Sequence, residues 1–194
     1  MHDGGGEVRI CVYCSSSTKV DERYFEMARE LGQLLAAGGH TLIYGGANIG
    51  LMGTLARAVK EAGGQVVGVI PRALRDYGLV YEEADEVIVT ETMAERKALM
   101  EQRAEAFIAL PGGFGTLEEL LQVLTLRQLR YLDYPIVVLN ANGFYDVLLS
   151  HFERLYDEQF ANPGFRQLYY VALDAADAMR YVEMAESAPL PRKW

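Results

Sequence analysis

The 194-residue chain sets 18 Lys and Arg against 27 Asp and Glu, for a formal net charge of −9. That balance excludes an open nucleic-acid-binding face, which needs a surplus of cations to neutralise phosphates. Apolar residues at 51% and charged residues at 23% exclude a disordered chain, and the length suffices for one domain with a real core and no structural metal or disulfide.

The start, Met1 to Gly6, is short, polar and glycine-rich and lacks the basic-then-apolar pattern of a signal peptide. No apolar run approaches the ~20 residues of a membrane span. A soluble, cytoplasmic protein is expected, with neither membrane nor nucleic acid as partner.

Arg9 to Tyr13 reads as a buried strand, and Asp21 to Ala37 as a helix with Tyr24, Met27, Ala28, Leu31, Leu34 and Leu35 on one stripe, ended by Gly38-Gly39. Thr41 to Tyr44 is the next strand, Leu51 to Ala62 a helix, and Val66 to Ile70 a third strand. Arg72 to Glu83 shows no periodicity and is expected to be a loop. Glu86 to Val89 then reads as a strand, Met93 to Arg103 as a helix, Ala106 to Leu110 as a strand and Thr116 to Arg130 as a helix. Ile136 to Leu139 (strand), Phe144 to Gln159 (helix), Tyr169 to Ala172 (strand) and Ala175 to about Ala185 (helix) complete the pattern.

Strands alternating with helices of this length predict an α/β protein: a Rossmann-like open, mainly parallel sheet with helices on both faces. The whole chain is expected to form one such domain, with flexible tails at residues 1–7 and 188–194. Ligands of such sheets bind beyond the carboxyl ends of the strands.

Cys11 and Cys14 form a C-x-x-C inside and just after an apolar strand, with no second Cys or His pair nearby, so buried thiols are expected rather than a redox or metal centre. The chemistry sits elsewhere. Between Ala106 and Leu121 an apolar strand runs into Pro111-Gly112-Gly113-Phe114-Gly115-Thr116 and then a Leu-rich helix. A helix N-terminus offers unpaired N–H groups and a partial positive charge, so this turn can hold a phosphate without a basic side chain. Thr116-Leu117-Glu118-Glu119 also reads as a capping box, a purely structural use of Glu119.

A second glycine cluster, Tyr44 to Gly53, repeats the strand-end arrangement, and tight turns alone would also explain it. Ser15, Ser16 and Ser17 offer hydroxyls at the same edge. In Met93-Ala94-Glu95-Arg96-Lys97, residues Met93, Arg96, Lys97 and Met100 share a helix face; a solvated face with a Lys97–Glu101 pair is the simpler use of that spacing.

Together these segments resemble the LONELY GUY family, the cytokinin riboside 5′-monophosphate phosphoribohydrolases, also labelled lysine decarboxylases. Its P-G-G-x-G-T-x-x-E signature stands here as Pro111 to Glu119, its M-x-x-R-K as Met93, Arg96 and Lys97, and its G-G-x-x-x-G-L-M-G as Gly45 to Gly53. Ala94, Leu126, Leu132 and Tyr134 depart from residues common in the family, and no clear counterpart to an acidic substrate-contacting residue of its plant members stands between Pro71 and Val80.

The resemblance implies a Rossmann-like fold and hydrolysis of the N-glycosidic bond of a purine nucleoside 5′-monophosphate, AMP or N6-prenyl-AMP, without metal or cofactor. It makes Arg96 and Glu119 the catalytic pair. Ser16, Gly46, Met93, Lys97, Gly112, Gly113, Gly115, Thr116, Glu118 and Thr125 become substrate-binding residues. It also implies a homodimer, for which the apolar helix from Leu117 to Leu129 is the candidate interface.

Breaking such a bond builds positive charge on the ribose, which calls for a carboxylate near the anomeric carbon. Glu119, one turn into a helix, is expected to favour its ionised state. Two other readings stand beside this one. A non-catalytic nucleotide or molybdenum-cofactor carrier-like protein would bind without cleaving. A pyridoxal-phosphate decarboxylase would need a reactive lysine, and Lys97 is the only lysine near the motifs.

Overall fold

Along β1 (Arg9–Tyr13) successive side chains go to opposite faces of the sheet, so Ile10 and Val12 enter one apolar layer while Cys11 and Tyr13 enter the other. The same division holds in β2 (Thr41–Tyr44), β3 (Gln65–Pro71), β5 (Ala106–Ala109) and β6 (Ile136–Leu139), strands covered on both faces and therefore almost continuously apolar. With β4 (Glu86–Thr90) and β7 (Tyr170–Ala172) at the edges they form one sheet in the order β4-β3-β2-β1-β5-β6-β7, every neighbouring pair parallel. This computed structural model describes residues 6–185.

Among the described residues six α-helices lie between these strands and a seventh follows β7. They are α1 (Glu22–Ala37), α2 (Gly50–Glu61), α3 (Arg72–Asp76), α4 (Met93–Arg103), α5 (Phe114–Gln128), α6 (Asp146–Asp157) and α7 (Ala175–Met184). Helices α1, α2 and α7 cover one face through Leu31, Leu35, Leu55, Val59 and Met179. The other face is covered by α4, α5 and α6, through Met100, Leu120, Val123, Phe152 and Tyr156. The α/β class, the parallel pairing and the two helical layers are as the periodicity predicts. Tyr24 and Leu34, at the edges of the α1 stripe, are only partly buried.

The chain runs outward from β1 through β2, β3 and β4, then returns to the other side of β1 for β5, β6 and β7. The reversal between β1 and β5 opens a crevice at their carboxyl ends, where two successive crossovers leave in opposite directions.

Two expectations need correction. The stretch expected to be a loop contains the single-turn helix α3, and it returns along the second glycine cluster through Asn48 N–H to Leu79 O (2.8 Å) and Tyr81 N–H to Gly46 O (3.0 Å). Helix α5 begins at Phe114 rather than Thr116: Gly113 is its N-cap, without any side-chain cap. Thr116 is thus already inside the first turn and cannot cap it. The tails expected at 1–7 and 188–194 lie outside the described residues except for Gly6 and Glu7, and Glu7 is tethered, accepting from Thr41 Oγ1 at 2.7 Å. No helix of the described residues is long and apolar enough to cross a membrane.

Leu31 is fully buried where α1 meets the sheet and α2. Leu31→Ala is expected to lower stability by about 2–5 kcal/mol, read from urea denaturation midpoints; a change under about 0.5 kcal/mol would contradict this packing.

Candidate active site

The C-terminal ends of β1, β2 and β5 converge on a cavity of about 460 Å³, within the range of small-molecule sites. From β1 come Cys14, Ser15, Ser16 and Ser17, held against the start of α2 by Leu51 N–H donating to Ser15 O at 2.9 Å. From β5 comes the glycine turn. Gly112 stands where a Cβ would lie 2.1 Å from Thr116 Oγ1, so its bareness lets Thr116 pack beneath the turn. The first-turn N–H groups of α5, which have no carbonyl one turn back to pair with, open this helix at the cavity's edge.

Helix α4 is the one that carries a capping box: Thr92 Oγ1 accepts from Glu95 N–H at 3.1 Å, and Glu95 accepts in return from Thr92 N–H. The Thr116–Glu119 box read from the sequence does not form. Glu119 lies in the second turn of α5 and points at α4, where Arg96 Nη1 donates to its Oε1 at 2.8 Å. Arg96 Nε donates to Val69 O at the end of β3 (3.1 Å). Both side chains are buried, about 5% exposed for Arg96 and 6% for Glu119.

Beside them Lys97 Nζ donates to Glu118 Oε1 and to Gln122 Oε1 (2.7 Å), and Gln122 in turn donates to Glu101. The simple Lys97–Glu101 pair is therefore replaced by a bridge between α4 and α5.

Burial pushes the Glu119 carboxyl above the usual carboxylate range; the neighbouring Arg96 guanidinium pulls it down without cancelling the rise. The helix-start argument for a favoured anion is overridden, because removal of water outweighs a dipole whose influence fades after the first turn. Burial likewise pushes both the Cys11 and the Cys14 thiol up, and the two cysteines are free and buried, as expected.

Of the residues expected at the site, Ser16, Met93, Arg96, Gly113, Gly115, Thr116, Glu118 and Glu119 line this cavity. Gly46, Gly112, Lys97 and Thr125 do not. Gly46 sits beneath it, with φ +76° and its missing Cβ 2.9 Å from Ile70 Cβ, while Gly45 takes the cavity-facing position. Thr125 is exposed further along α5, its hydroxyl donating to Leu121 O. Sequence reasoning missed Leu74 and Leu79, which with Ile49 and Met52 build an apolar wall; they lie in the aperiodic segment, where no pattern announces a facing. Leu126, Leu132 and Tyr134, three of the positions that depart from the family pattern, surround a separate surface concavity.

A parallel sheet with a guanidinium–carboxylate pair and a glycine turn at its switch point defines a Rossmann-like protein with a nucleotide-sized site. The family profile described as "Possible lysine decarboxylase" matches residues 52–182. A cytokinin riboside 5′-monophosphate phosphoribohydrolase of Arabidopsis thaliana is 43% identical over 90% of this chain and 77% of its own length. A probable enzyme of the same name from Oryza sativa subsp. japonica is 43% identical over 94% and 74%. The molybdenum cofactor carrier protein of Chlamydomonas reinhardtii superposes with a TM-score of 0.70 at 26% identity, over 92% of this chain and 97% of that one. The chain belongs to the LONELY GUY family, to which the decarboxylase description is also attached.

A carboxyl whose native pKa exceeds its unfolded value favours folding when protonated; that contribution is full below about pH 4.3 and is lost as the pH rises through the native value. Relative to Glu119→Gln, which cannot ionise, the wild-type protein is expected to lose stability in urea titrations as the pH rises from about 4.3 through the raised native pKa. A difference that stays constant with pH would contradict the dominance of burial.

Proposed function

We propose that this protein hydrolyses the N-glycosidic bond of a purine nucleoside 5′-monophosphate, AMP or its N6-prenylated form, releasing the base and ribose 5-phosphate. The observation that carries the reading is the Arg96–Glu119 pair facing the same cavity as the glycine turn. The names of the relatives at 43% identity support the same reaction.

The phosphate binds at the N–H groups opening α5 and at the Ser15 to Ser17 segment, which holds the ribose over α5. Glu119 Oε1 is taken by Arg96, while Oε2 has no hydrogen-bond partner among the described residues and is the atom left to receive a proton from water. As the bond to the base stretches, the carboxylate also stabilises the positive charge growing on the sugar. Arg96 holds the carboxylate in place and supplies positive charge toward the departing base. Leu74, Leu79, Ile49 and Met52 form the wall against which a purine and an apolar substituent rest.

A decarboxylase would need a free lysine amine for a Schiff base. Lys97 does not fit that role, because its ammonium is bound between Glu118 and Gln122 and does not line the cavity. A carrier function, suggested by the fold likeness to the molybdenum cofactor carrier protein, needs no carboxylate facing the cavity and is less supported by the names of the relatives at 43% identity.

We also propose a homodimer built on the outer face of α5. Leu121 there is 44% exposed and lies on the same helix as the exposed Thr125, which would then be presented to the partner's site; light scattering of the purified protein tests this.

Incubation with AMP and N6-prenyl-AMP is expected to yield free base, with adenosine a far poorer substrate because the remote phosphate contacts are lost. Arg96→Ala and Glu119→Gln are each expected to reduce kcat by about 10²–10⁴-fold with the fold retained. The activity of the wild-type protein should fall on its acid side at a higher pH than an exposed glutamate would give, since Glu119 must be ionised and burial raises its pKa. Near-normal rates in either variant would overturn these assignments.

A further inference from the structure

The Arg96 guanidinium is fixed at two of its three nitrogens, Nε to Val69 O and Nη1 to Glu119. The third, Nη2, has no hydrogen-bond partner among the described residues and lies directly over the backbone of Gly45. A Cβ at position 45 would stand 2.0 Å from Nη2 and 3.2 Å from Cζ, with Met52 Cε also at 3.2 Å. Those distances leave no room for a methyl group unless the guanidinium moves.

Resting on the hydrolase reading above, we propose that Gly45 is a positioning residue of the catalytic pair: its missing side chain is the slot that holds Arg96 Nη2 and thereby keeps Nη1 on Glu119.

The neighbouring glycine gives the contrast. Gly46 has φ +76°, and a Cβ there would meet Ile70 Cβ at 2.9 Å and the Val69 backbone at 3.3 Å, so Gly46 serves the fold. Gly45 is not among the residues with positive φ, and the groups in its way are the far ends of two flexible side chains. Alanine at 45 therefore displaces Arg96 rather than the backbone. The displaced guanidinium loses the Glu119 contact, and the buried carboxyl loses the cation that opposes its desolvation. Glu119 also faces Lys97 and Glu101 of α4, Glu118 of its own helix, Cys11 and Tyr13 of β1, and Cys14 just after it. The atoms nearest to a Cβ at 45 belong instead to Arg96 and Met52, with Arg96 Nη2 by far the closest.

The test compares wild-type protein with Gly45→Ala, Gly46→Ala, Arg96→Lys and the Gly45→Ala/Arg96→Lys double variant. Gly45→Ala is expected to stay folded, with a smaller loss of thermal midpoint than Gly46→Ala, and to lose about 10²-fold in kcat on AMP, with less change in KM. Infrared difference spectra against the matching Glu119→Gln protein read the Glu119 carboxyl directly, and its titration is expected to move to higher pH in Gly45→Ala. In the Arg96→Lys background, which has no Nη2, Gly45→Ala is expected to cost no more than about 2-fold further. Gly46→Ala should lower the thermal midpoint more.

Wild-type turnover with an unmoved carboxyl titration in Gly45→Ala overturns the proposal. So does a kcat loss that simply multiplies with that of Arg96→Lys, and so does failure of Gly45→Ala to fold, since only flexible side-chain ends stand in the way. If the wild-type protein released no base from any nucleotide, the hydrolase reading alone would fall. The infrared titration would still decide the role of Gly45.

Discussion

Everything at the crevice depends on a salt bridge placed where water is scarce. Taking a guanidinium and a carboxylate out of water costs several kcal/mol per ion, and an apolar pair of similar volume would often stabilise the fold as well or better. Stability therefore does not explain Arg96 and Glu119. What the pair supplies is geometry: Arg96 joins α4 to the end of β3 through Val69 O and to α5 through Glu119, so three elements are held in one register around the cavity. Removing either partner leaves the other buried and uncompensated, which links the site's integrity to the presence of both.

The pairing also leaves the site electrically balanced. Arg96 is matched by Glu119 and Lys97 by Glu118, on a chain whose net charge of −9 opposes the approach of an anion at long range. A phosphate must be recognised by groups that bind at short range and carry no net charge. Peptide N–H groups at the start of α5 and serine hydroxyls after β1 meet that condition. On the proposed reading Arg96 is then left beside the carboxylate rather than acting as a phosphate clamp.

The fold was legible because it rests on repeating signals: apolar runs short enough for strands, striped helices and glycines between them. The convergence of Pro111 to Glu119 with Met93 to Lys97 was legible only as a match of motifs, since the sequence pattern alone favoured a capping box at Thr116 and a solvated face at Lys97. Both simpler uses failed for one reason. Gly113, a residue without a side chain to cap with, starts α5 two residues early, and this turns Glu119 inward to Arg96 and Glu118 outward to Lys97. Helix ends are where local signals are weakest. Gly45 and Gly46 were indistinguishable in sequence because their difference lies in what passes beside them, a side chain in one case and a backbone in the other.

The cavity divides its labour along the same line. The pair and the glycine turn stand on strand ends and packed helices, where a shift in one element strains its neighbours. The apolar wall from Leu74 and Leu79 comes instead from an excursion between β3 and β4, tied back through the backbone of Gly46 and Asn48, the Arg72–Glu91 ion pair and the buried Tyr81. On the proposed reading, bond cleavage would be bound to the sheet and its packed helices, while contact with the base would fall to the segment between β3 and β4.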